Sequence, residues 1–202
     1  MTRNIRRATV AAAVAALGLA AAGVADAATT STTFKMLRST AAVGAGCLSG
    51  AGATVKINSL GPVEVMTVKA HGLPANTNFD LFVIQAPDAP FGFSWYQGDL
   101  ESGTDGTASG HFVGRFSRET FTVAPGSTVA PSVHPGDATS NPATAPVHQY
   151  HLGLWFNSPA DAAKAGCPSA VTPFNGDHTA GVQALSTRQF PVTAGPLARI
   201  NP

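Results

Sequence analysis

Six histidines (His71, His111, His134, His148, His151 and His178) stand out in a 202-residue chain of which only 11% is Asp, Glu, Lys or Arg. Imidazole is the commonest metal ligand and is neutral near pH 7. Two ligands on one face of a strand need His-x-His spacing, because side chains alternate. His148 and His151 are three apart, so a regular strand sends them to opposite faces. His134, with Asp137 close by in a Pro-rich stretch, meets His148 or His178 only through folding. A copper or zinc centre built from a subset of His134, His148, His151 and His178 is one expectation. Histidines satisfied on the surface or in loops are the plainer one.

A second constellation is Phe91-Gly-Phe-Ser-Trp-Tyr-Gln-Gly98. Aromatic rings offer apolar faces on which sugar rings stack. Trp95 and Tyr96 would supply such faces, with Gln97 and Asp99 as hydrogen-bonding neighbours. Alternation instead buries Phe91, Phe93 and Trp95 on one side and exposes Tyr96. Nucleophilic catalysis finds little support. Gly92-Phe-Ser94-Trp-Tyr96 falls short of the G-x-S-x-G elbow because Tyr96 holds the second glycine position, so no catalytic residue is nominated. Asp99, Glu101 and Asp105 carry oxygen ligands suited to calcium, but their spacing departs from a calcium loop and Asp105-Gly106 reads as a turn.

The elements that must position these residues are short. Val63–Ala70, Phe79–Gln85, Trp95–Leu100, Thr107–Phe116, Glu119–Ala124, Val147–Asn157 and Val182–Phe190 read as strands. Asp105-Gly106 predicts a hairpin between the third and fourth. The pattern predicts a mainly all-β chain folded as a single antiparallel β-sandwich domain. One short helix is expected near 159–165, with Ser158 as N-cap, Pro159 at its first position, Asp161 in the first turn, Lys164 in the last and Gly166 past its end. Residues 28–46 read as a flexible lead-in. The stretch 124–146, with five prolines, reads as an ordered covering loop that joins the Trp95–Tyr96 region in a contact surface.

The N-terminus has the three parts of a secretory leader: basic Met1–Arg7, an uncharged run from Ala8 to Val24, and a small-residue cleavage signal ending at Ala27. Ala-Thr-Val after Arg6-Arg7 favours the general secretory route over the twin-arginine one. Cleavage leaves residues 28–202, with no second stretch of spanning length, so the mature product is expected to lack a membrane anchor. The leader carries three of the 12 basic residues and one of the 11 acidic ones. The remainder is nearly neutral, which argues against nucleic-acid binding. Cys47 and Cys167, the only two cysteines, predict one disulfide closing the 47–202 domain.

The segments His71-Gly-Leu-Pro74, Phe79–Gln85, Phe91–Asp99, His134-Pro-Gly-Asp137, His148–Ser158 and Pro173-Phe-Asn-Gly-Asp-His178 resemble those of a family of secreted actinobacterial proteins. The region around Thr104-Asp-Gly106 is similar to hairpins of Ig-like sandwiches. The resemblance implies secretion, to the medium or the cell wall, and no particular activity. The expectation is a monomeric, non-enzymatic extracellular module without a cofactor, binding an unidentified surface or extracellular ligand, with a glycan or cell-wall component as one candidate. The alternative is a copper- or zinc-binding redox protein, resembling copper–zinc superoxide dismutases in fold type but lacking their dense His-x-His pattern.

Overall fold

The computed structural model describes residues 30–123 and 146–201. The expected leader (1–27), His134, Asp137 and the 124–145 part of the covering loop lie outside those residues.

Alternation of apolar and polar residues fixes which face of each strand turns inward. Strand β1 (Ser31–Arg38) buries Phe34 and Met36, β2 (Gly52–Ser59) buries Ala53, Val55 and Ile57, and β3 (Glu64–His71) buries Met66, Val68 and Ala70. The lead-in reading of 28–46 therefore gives way from Ser31 onward. Only two buried side chains mark β1, too few to read as alternation, but it pairs with β2 from Ser31 to Met36.

The remaining strands are β4 (Asn78–Ile84), β5 (Ser94–Glu101), β6 (Ala108–Gly114), β7 (Phe121–Val123), β8 (Pro146–His148), β9 (His151–Phe156) and β10 (Gln183–Ser186). β7 and β8 form a small two-stranded sheet. The other eight form one antiparallel sheet in the order β5-β4-β9-β10-β1-β2-β3-β6. The chain is thus all-β as its sequence suggests, and the two layers of the expected sandwich are opposite walls of one curled sheet. Phe79, Leu81, Val83, Leu152, Leu154 and Phe156 fill its interior with the side chains above.

The Asp105-Gly106 turn forms: the Gly106 amide donates to Gly103 O (3.0 Å) and Asp105 Oδ1 accepts from the Thr107 amide (3.0 Å). It does not close a hairpin ladder. β5 pairs with β4 and β6 with β3, so the turn joins the two edges of the sheet as they curl toward one another. The Phe112 ring occupies the seam. A Cβ at Gly98 would lie 2.6 Å from that ring and one at Gly110 2.8 Å. Gly98 also has a φ of 154°, a conformation that side chains disfavour.

Helix α2 (Pro159–Lys164) forms as its sequence predicts, with Ser158 accepting from the Asp161 amide and Gly166 at φ 72°. A second short helix, α1 (Thr40–Gly44), repeats the design, its cap Ser39 accepting from the Ala42 amide. Each helix runs into the tripeptide Ala-Gly-Cys, ending at Cys47 and Cys167. The two cysteines form the predicted disulfide, with Cα atoms 5.4 Å apart. Two 3₁₀ turns, Val192–Ala194 and Pro196–Arg199, finish the described chain. No helix among the described residues is long and apolar enough to cross a membrane.

Candidate functional site

β4 and β9 are buried on both faces. Their inward residues fill the barrel-like interior. Their outward residues lie under loops that fold back across the sheet. Phe82, Ile84 and Trp155 form a second apolar cluster there with Ala180, Phe91 and Phe174. The Phe174 ring lies 4.8 Å from Phe82 and 4.9 Å from Trp155. The 173–178 loop is thus anchored by an aromatic contact and leaves a cleft of about 710 Å³ between itself, β4 and β5. That volume suits a small-molecule site.

Four outward residues of β4 and β5 build the floor. Asp80 faces Asp99 across the strand pair, and Phe82 faces Tyr96. Tyr96 and Asp99 are three apart and would lie on opposite faces of a regular strand. A β-bulge reconciles them: Leu81 pairs with Gly98 and Phe82 with Tyr96, leaving Gln97 as the extra residue. The Tyr96 hydroxyl then donates to Asp99 Oδ1 at 2.6 Å, and its ring meets Phe82 edge-on at 5.7 Å. Burial, followed by that hydrogen bond, raises the Tyr96 pKa and keeps the phenol protonated.

Asp80 is only 2% exposed. Burial pushes its carboxyl pKa up to about 6, opposed by a hydrogen bond from Asn175 and reinforced by the neighbouring Asp99. Among the described residues neither Asp80 nor Asp99 makes a salt bridge. Asn175 Nδ2 donates to Asp80 Oδ2 over a long 3.4 Å and to Asn157 O at 3.2 Å. Its Oδ1 accepts from the Asp177 and Thr179 amides at 3.1 and 3.2 Å. One asparagine therefore shapes the loop and ties it to the sheet, and its own φ is 65°. Asp177 and His178 complete the rim, and Asn157 joins the cleft to a smaller one lined by Asn78, Asp99 and Glu101.

Of the residues nominated from sequence for ligand contact, Tyr96 and Asp99 line this cleft and Trp95 and Gln97 do not. Trp95 packs against the barrel interior, one step along the strand from Tyr96. Gln97 is taken up by the bulge. Of the four histidines of the metal expectation, His148, His151 and His178 are described, and among the described residues no group of three or more His, Cys, Asp or Glu could hold a metal ion. His178 lies on the cleft rim. His148 contacts Thr120 O at 3.2 Å and stacks on Tyr150. His151 is fully buried, its Nε2 within 3.2 and 3.1 Å of the carbonyls of Pro191 and Val192 and its Nδ1 2.9 Å from Thr187 Oγ1. Nε2–H donates to the carbonyls and Nδ1 accepts from the hydroxyl, so neither nitrogen has a lone pair free. His134 lies outside the described residues.

Asp80, Asn157, Phe174 and Asn175 were missed from sequence. One signal was present: Asp80 is the lone charge within Phe79-Asp-Leu-Phe-Val-Ile84. No protein-family model matches the chain, and a comparison with curated proteins gives no match.

Proposed function

We propose that this chain is an exported, non-catalytic binding protein whose ligand, a saccharide of the cell wall or the surrounding medium, sits in the cleft of Asp80, Tyr96, Asp99 and the 173–178 loop. The observation that carries this reading is the pairing of aromatic and oxygen-bearing side chains on one built surface. Phe93, Tyr96 and Phe174 offer apolar ring faces, and Asp80, Asp99, Asn157 and Asp177 offer hydrogen-bonding groups. Sugars present the complementary surfaces, apolar C–H faces and hydroxyl edges.

The carboxylate pair invites comparison with glycoside hydrolysis. There the two carboxyls stand about 5–5.5 Å or farther apart, so that the sugar fits between them. Asp80 and Asp99 are direct cross-strand partners, where Cβ atoms lie about 4.5–5.5 Å apart, and both belong to the floor of the cleft rather than to its two sides, which favours a binding role. The leader and the disulfide between Cys47 and Cys167 support export.

The test is retention of the full chain, expressed with its own leader, on bacterial cell walls and on soluble cell-wall glycans. Tyr96→Ala and Phe174→Ala are expected to lower affinity at least tenfold, whereas Val113→Ala, an exposed change on β6, leaves it intact. Binding indifferent to both cleft variants, or no retention on any glycan, overturns the reading.

A further inference from the structure

We infer that the ligand presents a protonated amine to the Asp80–Asp99 pair, so that the cleft selects amine-bearing over neutral or N-acylated saccharides. This rests on the proposed reading of the cleft as a saccharide site. Among the described residues three carboxylates (Asp80, Asp99 and Asp177) line the cleft, and no Lys or Arg does. The other buried acid among the described residues, Glu64, has the Arg115 guanidinium within 4.0 Å. Asp80, at 2% exposure, is instead held against a second carboxylate, with one long amide contact from Asn175.

Burying a charge without a counter-charge is unfavourable. The structure contains an unbalanced negative site with oxygens on neighbouring strands, opening into a cleft of ligand size. An ammonium group donates three hydrogen bonds and neutralises the pair. The ring faces of Tyr96 and Phe174 beside it suit the rest of an amino sugar and favour a cation in their neighbourhood. A neutral sugar could use the same rings but would leave the carboxylates unbalanced, and an N-acetyl group removes the charge.

The pH dependence has a definite sign. The groups facing Asp80 are Asp99 and Tyr96 from β5 and Asp177 and His178 from the loop, while β9 contributes Trp155 opposite it. Acidification through about 6 protonates Asp80 and removes the attraction. The amine itself gains charge on acidification, so a fall in affinity points to the protein rather than to the ligand. Binding near pH 6 displaces the proton from the pair into solvent.

The test compares the tetramer of β-1,4-linked glucosamine with its fully N-acetylated counterpart by titration calorimetry on the full chain. At pH 7 the glucosamine tetramer is expected to bind at least tenfold more tightly. Asp80→Asn and, separately, Asp99→Asn are expected to erase that preference, with melting temperature confirming that each variant is folded. Between pH 7 and pH 5 affinity is expected to drop severalfold, in His178→Gln as in wild type, with proton release near pH 6. Equal or tighter binding of the acetylated tetramer, or a preference that survives both carboxylate variants, overturns the inference and leaves the saccharide reading standing. Failure to bind either tetramer while cell-wall retention persists has the same consequence. Loss of retention on every glycan removes both.

Discussion

Asp80 interrupts an apolar strand, and its environment makes it a burden on the folded state. Its carboxyl pKa rises from the ordinary 3.8 to about 6, so between those values the folded chain holds more protons than the unfolded one. Stability then falls as pH rises through that window, by at most about 3 kcal/mol. Asp80→Asn keeps the shape and removes the charge. It is expected to stabilise the protein by about 1–3 kcal/mol at pH 8 and to have little effect at pH 4, read from urea midpoints. A residue that lowers stability yet sits on the floor of the candidate cleft fits a trade of stability for function. His151 works in the opposite sense. Burial holds its pKa below the ordinary 6.5 against the pull of its carbonyl neighbours, so its contribution is present above that value and lost as pH falls. In Asp80→Asn the weakening on acidification from pH 7 to 5 is therefore expected to be steeper than in wild type.

At the scale of elements, what could be read from sequence depended on how local the determining signal was. α2 carries its own cap, proline, charges and terminal glycine within nine residues, Ser158 to Gly166, and it forms as read. α1 has the cap Ser39 and the closing Gly46 but no proline and no charge, and its neighbours looked like a flexible lead-in. The two caps differ in surroundings. Ser39 is fully buried and its hydroxyl also donates to Gln183 O, tying α1 to β10, while Ser158 is half-buried. Ser39→Ala is expected to cost about 2 kcal/mol and Ser158→Ala about 1 kcal/mol, measured by denaturant unfolding. The 173–178 loop was not legible as part of a site, because what binds it to the sheet comes from Asp80, Phe82, Trp155 and Asn157, on strands elsewhere in the sequence or at their ends. Asn175→Ala removes its two amide-accepting bonds and is expected to raise hydrogen exchange at Asp177 and Thr179 while leaving β4 protected.

For the whole molecule, fold class and disulfide were readable from turn spacing and cysteine count. Closure was not. The sheet order places β9 and β10 between β4 and β1, and no local signal announces that insertion. The Asp105-Gly106 turn suggested a paired hairpin, whereas its flanking strands became the two edges. The bulge at Gln97 was equally silent, and with it the meeting of Tyr96 and Asp99 on one face. The disulfide spans 120 residues and joins the ends of α1 and α2 outside the strand ladders. Replacing both cysteines by serine is expected to cost up to about 5 kcal/mol in the chain-entropy account, with the native circular-dichroism spectrum retained at low temperature. Collapse of the spectrum would mean that the core alone does not hold the sheet closed.

The central claim is that the cleft between β4, β5 and the 173–178 loop is where this protein meets its ligand. The most direct measurement is an amide chemical-shift map of the ¹⁵N-labelled protein titrated with solubilised cell-wall fragments. The account predicts that the perturbed amides cluster at Asp80–Phe82, Tyr96–Asp99 and Phe174–His178. Perturbations centred on His148, Tyr150 and Val192, or spread without focus over the surface, would contradict it.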